Sequence, residues 1–203
     1  MTLTLYSAER SGHAHTVRNF LSILGVECIR IECATSKGET RTPDFLRINP
    51  FGQIPVIDDD GFVVRDSHAI LVYLAKKYDA SDRWFPVDPE GAARVQEWLA
   101  TSTLDLVIGP AWARAIKCFG RSMNLGEAQE RAHRLLALIE SHLEGREWLA
   151  ADHPTIADVS MYSYVSLAPE GDVEIAAYTN IGLWLERVES IPGFVSMPRH
   201  AWA

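Results

Sequence analysis

A helix start that carries only small and polar side chains lies near the beginning of the chain. In the stretch "ERSGHAHTVRNFLSILG", apolar residues recur at Val17, Phe20 and Leu24, which is the spacing of an amphipathic helix that begins at Ser11. The first N–H groups of a helix have no partner within it, so a capping side chain or a bound anion must satisfy them. Ser11 is therefore either a plain N-cap or a hydrogen-bond donor to a negatively charged group.

A proline and a polar pair form the second group of candidate residues. Pro55 follows Ile54 in the apolar run "IPVI", where a proline is tolerated only at the start or edge of a strand because it has no N–H to donate. The main chain of Ile54 can then face water or pair with an extended peptide. Asp66 and Ser67 precede "AILVYLAKKY"; they are typical N-cap residues, and a helix start of this kind can also hold a charged group.

The first 79 residues predict alternating strands and helices that would position these side chains. Strands are predicted at residues 2–6 and 29–33 on either side of the first helix, a short helix begins near Pro43, and a hairpin joins 54–57 to 62–64 through Asp60-Gly61. A third helix follows Asp66-Ser67. This order predicts a β-α-β unit followed by a hairpin and a helix.

The rest of the chain predicts helices only. We expect a first domain over residues 1–79, a polar linker over 80–87 and an all-helical domain over 88–203. Its helices are predicted at about 88–118, with a bend at Gly109-Pro110, and at about 125–145, 155–168 and 178–190. Thr155 and Asp158 have the spacing of a capping box, to which we assign a folding role.

Composition excludes several classes of protein. The chain has 203 residues and a formal net charge of −8 without a basic stripe, so nucleic acid and anionic membranes are not expected as partners. The opening "MTLTLYSAER" has no signal-peptide pattern, and no apolar run is long enough to cross a bilayer, which favours the cytoplasm. Cys28, Cys33 and Cys118 have neither CxxC spacing nor a nearby histidine pair, so we expect free thiols and no metal.

The order of these motifs resembles one known family. The segment "NPFGQIPVIDDDGFVVRDSHAILVYLAKKY" is similar to the glutathione-binding half of cytosolic glutathione transferases, and "WFP", "TIADVSMY" and "LWLERVESIPGF" resemble their helical half. The serine-type, theta-like bacterial members are the most similar. The resemblance implies an α/β thioredoxin-like N-terminal domain (βαβ-ββα, mixed sheet), an all-α C-terminal domain, glutathione as co-substrate and a cytoplasmic homodimer.

The resemblance also assigns roles to the candidate residues. It implies that the Ser11 hydroxyl donates a hydrogen bond to the thiolate of glutathione, and that the remaining contacts to glutathione come from Gln53, Ile54, a cis-Pro55, Asp66 and Ser67. Other branches of the family use a tyrosine at the end of the first strand, where Tyr6 stands, but Ser11 and the intervening "SAER" favour the serine-type layout. We expect His13 and His15 to be exposed rather than to act as bases.

The expected activity is the conjugation of glutathione to small hydrophobic electrophiles. Glutathione-dependent reduction of disulfides or peroxides, and a non-catalytic dimeric scaffold, are the alternatives. Trp112, Lys117 and Phe119 are predicted to line the acceptor site, and Asp105 on the fourth helix is predicted to reach across a two-fold interface. Thr40 stands where many relatives carry a histidine, and Asp66 replaces a longer Glu or Gln, so modest affinity for glutathione is expected.

Overall fold

The N-terminal half forms a mixed sheet with the strand order β2-β1-β3-β4 in the computed structural model, which describes residues 2–200. The strands are β1 (Leu3–Ser7), β2 (Ile29–Glu32), β3 (Val56–Asp59) and β4 (Phe62–Arg65). β2 is parallel to β1, whereas β3 is antiparallel to both β1 and β4. The helices of this half are α1 (Gly12–Ile23), α2 (Pro43–Ile48) and α3 (Ser67–Tyr78). This arrangement confirms the predicted βαβ-ββα order and mixed sheet.

The hairpin between β3 and β4 follows from two features of the sequence. Asp60 and Gly61 both have positive φ, 51° and 92°, which is the conformation that a tight two-residue hairpin turn requires. β3 begins at Val56 rather than at the predicted Ile54, because Pro55 has no N–H with which to extend the ladder. The Ile54–Pro55 peptide bond is cis.

The C-terminal half is helical, but its first helix is shorter than predicted. The helices are α4 (Pro89–Thr103), α5 (Trp112–Phe119), α6 (Leu125–His142), α7 (Ile156–Ser166) and α8 (Thr179–Glu189). The prediction of one helix over 88–118 is wrong in its extent, because α4 ends at Thr103, but the predicted irregularity at Gly109-Pro110 falls inside the π-helical segment Val107–Ala111. Proline removes an intrahelical hydrogen bond and its ring displaces the preceding turn, so the wider π turn accommodates it.

One continuous apolar core joins the two halves. It includes Leu5 of β1 and Phe20 of α1 on one side, and Val159 of α7 and Trp184 of α8 on the other. α1 lies directly against α7 in this core. The predicted domain boundary between residues 79 and 88 stays a prediction, although Tyr78 ends α3 and Pro89 begins α4.

The predicted capping box at the start of α7 is confirmed and has a folding role. The Thr155 side chain accepts from the main chain of α7, and Asp158 accepts from the Thr155 N–H at 2.9 Å. Asp158 is fully buried and also accepts hydrogen bonds from Leu149 N–H and from Trp184 Nε1–H, each at 3.0 Å. It therefore fixes α7 and α8 to each other. Within residues 2–200, no helix is long and apolar enough to span a bilayer.

Candidate functional site

A cavity of about 810 Å³ lies where the start of α1, the loop before β3 and the start of α3 meet. The six site residues predicted from the sequence all line it: Ser11, Gln53, Ile54, Pro55, Asp66 and Ser67. Thr103 and Val107 of the helical half complete one wall. The fold thus brings the six predicted residues, which are up to 56 positions apart in the sequence, around one space.

Ser11 caps α1 and still has a hydrogen to donate. Its backbone is extended, with φ −86° and ψ 121°, and its Oγ accepts a hydrogen bond from Ala14 N–H at 3.3 Å. Because a hydroxyl carries one donor and two acceptor sites, this cap leaves the O–H free to point at an anion in the cavity. The two roles expected for Ser11 are therefore compatible.

The start of α1 is not as open as the sequence suggests. The ring of Tyr164, on α7, covers Gly12 so closely that a Cβ on Gly12 would lie 2.5 Å from the tyrosine Cζ. Burial raises the pKa of the Tyr164 phenol, and the nearby Arg114 charge and the main chain at the start of α1 oppose that rise. The expectation of an unshielded helix start is wrong, because the covering side chain comes from a distant element that no local pattern reveals.

The main chain before β3 offers peptide groups to the cavity. The N–H and C=O of Ile54 form no hydrogen bond with any residue in the range 2–200. Asn49 donates from Nδ2 to the Gln53 carbonyl at 2.7 Å, which holds the loop in place from behind. An extended peptide ligand could therefore pair with Ile54 as an additional strand.

The start of α3 combines an unusual backbone with a buried hydroxyl. Asp66 has φ 76° and ψ 129°, a strained conformation for a residue with a side chain, and one of its carboxylate oxygens accepts from His68 N–H and Ala69 N–H. Ser67 is buried, and its Oγ lies 3.3 Å from His13 Nδ1 with a hydrogen bond between them. The second Asp66 oxygen and the Ser67 hydroxyl remain able to contact a ligand.

The two histidines of α1 are not exposed, contrary to the prediction. His15 is fully buried between Ser163 Oγ, 2.9 Å from its Nδ1, and the Val195 carbonyl, 2.7 Å from its Nε2. Burial lowers the pKa of His15 to about 4 and that of His13 to about 4 as well. Both rings are therefore neutral near pH 7. His13 lines the cavity and therefore belongs to the candidate site, although the sequence did not predict it there.

Sequence reasoning also missed the charge of the cavity. Arg41, Arg65 and Arg121 line it, whereas Asp66 is the one acidic side chain among the described lining residues. Thr40 is part of the lining and is buried. The three arginines come from three different loops or strand ends, so their sequence spacing gives no signal of the cluster.

Two other expected participants lie away from the cavity. Tyr6 does not line it and instead packs edge-on against Phe45, with 5.9 Å between ring centroids. Asp105 is exposed, but it follows the end of α4 at Thr103 and does not lie on that helix as predicted.

A second, smaller cavity of about 580 Å³ adjoins the first and shares Ser11, Thr35 and Arg121 with it. Phe119 lines this second cavity, whereas Trp112 and Lys117, the other residues expected at the acceptor site, line neither cavity. Trp112 is partly exposed elsewhere, and the Lys117 ammonium forms an ion pair with Asp172 at 2.7 Å. The helical period places Lys117 on the far side of α5 from Ala115 and Phe119, which line the cavity.

The cysteines do not provide an alternative nucleophile here. All three are free, and burial raises the pKa of the Cys28 and Cys33 thiols. The pKa of Cys118 is raised to about 11 by burial and by the neighbouring Glu170 carboxylate. The part of the chain that the structure describes contains no group of three His, Cys, Asp or Glu side chains placed to hold a metal ion.

Comparison with known proteins agrees with this geometry. Residues 1–76 match the family model "Glutathione S-transferase, N-terminal domain", and residues 103–192 match "Glutathione S-transferase, C-terminal domain". A relative, glutathione S-transferase D6 of Drosophila melanogaster, is 28% identical over 198 residues, covering 95% of this chain and 90% of the relative.

Solved structures extend the match to nearly the whole fold. A possible glutathione S-transferase from Rhodopseudomonas palustris is 31% identical with a TM-score of 0.90, covering 97% of this chain and 98% of the other. A glutathione S-transferase from Pseudomonas fluorescens is 30% identical with a TM-score of 0.90, covering 97% and 99%. The protein described here belongs to the glutathione S-transferase family.

Proposed function

We propose that this protein binds glutathione in the larger cavity and conjugates its sulfur to an electrophile held in the smaller one. The observation that carries the proposal is the position of Ser11, which lies in the lining shared by the two cavities. A thiol placed beside Ser11 would have a hydroxyl donor on one side and the acceptor on the other. Ser11 is the catalytic residue in this proposal.

The charges around the larger cavity support glutathione as its ligand. Glutathione carries two carboxylates and one ammonium, and the lining offers Arg41, Arg65 and Arg121 together with the single carboxylate of Asp66. We assign the α-carboxylate of the γ-glutamyl head to Ser67 at the start of α3, and the ammonium to Asp66.

The middle of glutathione is assigned to the loop before β3. The cysteinyl peptide group would pair with the free N–H and C=O of Ile54, next to cis-Pro55, while the Gln53 side chain contacts the γ-glutamyl part. This pairing would place the sulfur at the start of α1. Binding and activation are thus assigned to different residues.

Ser11 can supply enough energy to activate the thiol. A free thiol has a pKa near 8.5, and each unit of depression requires about 1.4 kcal/mol of preference for the thiolate. A hydrogen bond to a charged group contributes roughly 1.5–3 kcal/mol and a helix N-terminus about 0.3–1 kcal/mol. A depression of the thiol pKa by roughly one to three units therefore follows from Ser11 and α1 together.

The reaction needs no further redox partner. The thiol proton leaves to water, the thiolate forms a C–S bond with the electrophilic carbon, and the leaving group departs with its bonding electron pair. The neutral His13 and His15 and the high pKa of the Cys118 thiol support a mechanism in which glutathione supplies the nucleophile.

We further propose that the protein acts as a cytoplasmic homodimer. The free thiols of Cys28, Cys33 and Cys118 support a reducing compartment, and exposed Asp105, just after α4, is a candidate contact across the two-fold interface. Sedimentation at micromolar concentration should give twice the chain mass of 22.7 kDa. A monomer would exclude both the dimer and the role of Asp105.

A substrate panel with glutathione tests the proposed activity. Aryl halides, hydroperoxides and mixed disulfides are assayed against the uncatalysed rate. We expect aryl halides to give the largest enhancement. Enhancement only with hydroperoxides or disulfides would assign the reductase activity instead, and no enhancement with any class, despite measurable glutathione binding, would indicate a scaffold.

A further inference from the structure

The smaller cavity has an unexpected charge for an acceptor site. Its charged lining residues are Arg10, Arg114 and Arg121, and none of the lining residues within the range 2–200 is acidic. This occurs in a chain whose formal net charge is −8. A cavity intended only for neutral apolar molecules would not need three guanidinium groups, each of which is costly to desolvate.

An aromatic ring holds two of these arginines in place. The Arg10 and Arg114 guanidinium carbons lie 4.9 Å and 5.3 Å from the centroid of the Phe119 ring. In addition, Arg114 Nη1 donates to the main-chain carbonyl of Arg10 at 3.0 Å. Two like charges are therefore fixed beside one ring, an arrangement that an anion between them would stabilise.

The protein neutralises only one of the three arginines. Arg114 Nε donates to Glu170 Oε2 at 2.6 Å in a buried ion pair. Arg10 and Arg121 have no ion-pair partner among residues 2–200. Two uncompensated positive charges therefore remain at the cavity, and they favour an anionic ligand.

One donor of Arg114 points to a missing partner. Its side chain is 3% exposed, and its Nη2 is buried without a hydrogen-bond partner in the part of the chain that the structure describes. Buried guanidinium donors are nearly always satisfied, because leaving one unpaired costs free energy. This unpaired donor leaves part of the Arg114 charge uncompensated beside the cavity.

We infer that the acceptor cavity selects electrophiles that carry a carboxylate or a similar anionic group in addition to their reactive carbon, with Arg10 binding that group and the Arg114 charge lying beside it. The inference rests on the proposed function, and it replaces the purely hydrophobic electrophile expected from the sequence. Phe119 contacts the apolar part of the acceptor, and the sulfur attacks from the Ser11 side. Arg10 determines specificity and takes no part in bond breaking.

Two matched aryl halides test the inference. We would compare 4-chloro-3,5-dinitrobenzoate with its methyl ester, dividing each kcat/KM by the uncatalysed rate constant with glutathione. In both reactions the C–S bond forms, the C–Cl bond breaks, chloride leaves with the electron pair and the thiol proton passes to water. We expect the normalised value to be about tenfold or more higher for the carboxylate.

The variant Arg10→Gln identifies the source of the preference. Arg10 is exposed, and the hydrogen bond that Arg114 makes to it uses only its main chain, so this variant should fold. The carboxylate-to-ester ratio should fall about tenfold. Arg146→Gln removes an exposed charge after α6 and should leave the ratio unchanged. Equal normalised values in the wild type, or the same ratio in Arg10→Gln, would overturn the inference.

A binding measurement separates failure of the inference from failure of the proposed function. Calorimetry would compare the two finished glutathione conjugates, one bearing the carboxylate and one the methyl ester, on wild-type protein and on Arg10→Gln. Tighter binding of the carboxylate conjugate that depends on Arg10 supports the inference even when neither halide reacts, a result that would reject the transferase activity alone. Equal binding of both conjugates rejects the inference, and so does weaker glutathione binding in Arg10→Gln without loss of selectivity.

Discussion

At the residue scale, the proposed thiol activation depends on how Ser11 uses the one donor and the acceptor sites of its hydroxyl. The Ser11 oxygen accepts from Ala14 N–H, so capping uses a lone pair and leaves the O–H for a thiolate. A serine that capped the helix by donating could not do both. This division explains how a residue with an ordinary structural role can also be catalytic.

Substituting Ser11 should separate activation from binding. We expect Ser11→Ala to leave the glutathione dissociation constant nearly unchanged while raising the pKa of the bound thiol by roughly one to two units, because the sulfur is the one part of glutathione that loses a contact, worth about 1.5–3 kcal/mol. The helix cap to Ala14 N–H is lost as well, which affects stability rather than binding. The pH–rate profile with an aryl halide would shift upward by that amount.

Tyr6→Phe is the matched control for Ser11→Ala. Tyr6 packs against Phe45 and does not line the cavity, so this variant should change turnover little. The serine-type mechanism would be rejected by the reverse pattern, in which Tyr6→Phe abolishes activity and Ser11→Ala does not.

Substituting Ser67 should affect binding instead. We expect Ser67→Ala to weaken glutathione binding by roughly 1.5–3 kcal/mol, because a hydroxyl assigned to a carboxylate is removed. Ser67 also bonds to His13, so Ser67→Thr, which keeps the hydroxyl, is the appropriate control. Calorimetry on both variants measures the change, and an unaltered dissociation constant for Ser67→Ala with the fold intact would remove Ser67 from the site.

At the element scale, the contact between α1 and α7 links the helical half to the start of α1, where we propose that Ser11 acts. Gly12 is the point of closest approach, because the ring of Tyr164 occupies the space that any Cβ there would need. The position of Ser11 consequently depends on a side chain about 150 residues away.

A double-mutant cycle tests this contact. Gly12→Ala should destabilise the protein by about 1–3 kcal/mol, because the added methyl group displaces the Tyr164 ring. In a Tyr164→Ala background the same substitution should cost nothing, because the space is then available and alanine favours the helix. Urea unfolding of the four proteins gives the coupling energy, and additive effects would show that the ring does not determine the geometry of α1.

Local sequence patterns predicted most of the helices and strands and the six site residues that line the larger cavity. The features that they did not predict depend on contacts between distant residues. Pro43, Asp60-Gly61 and Thr155 act through their own backbone or the next turn, so the short helix, the hairpin and the cap on α7 could be predicted. Pro110 also predicted an irregularity at Gly109-Pro110, but not its π form, because a proline does not specify which wider turn forms and Gly109 packs against the main chain of Ala132 on α6. Tyr164 over Gly12 was missed for the same reason, since a tertiary contact leaves no local signal.

At the scale of the whole molecule, the charge that lines the two cavities is opposite in sign to the net charge of the chain. The chain carries a formal net charge of −8, yet arginines dominate the charged lining of both cavities. Anionic glutathione would therefore be repelled by the molecule as a whole and attracted locally. Such a local field acts over about a Debye length, near 8–10 Å at physiological salt, so it orders ligands already at the cavity mouth rather than steering them from afar.

The buried histidines make the stability of the whole molecule depend on pH. His15 lies in the seam between α1, α7 and the segment around Val195, and burial lowers its pKa from 6.5 to about 4. In the unfolded chain this histidine binds a proton below about pH 6.5, whereas in the folded protein it does not until about pH 4. The unfolded state therefore binds more protons between these values, so stability is complete above pH 6.5 and falls as the pH decreases.

Urea unfolding at pH 7.5 and pH 5.0, at one protein concentration, measures this effect. We expect His15 alone to account for a loss of about 2 kcal/mol on going to pH 5.0, with a further loss of the same sign from the partly exposed His13. His15→Gln cannot take up the proton, so it should be less stable at pH 7.5 but lose about 2 kcal/mol less than the wild type on acidification. His133→Gln, on the exposed face of α6, controls for the loss of a histidine and should match the wild-type pH dependence. If His15→Gln and the wild type lose the same free energy of unfolding, then His15 does not cause the pH dependence of stability, and the acid sensitivity must come from other groups.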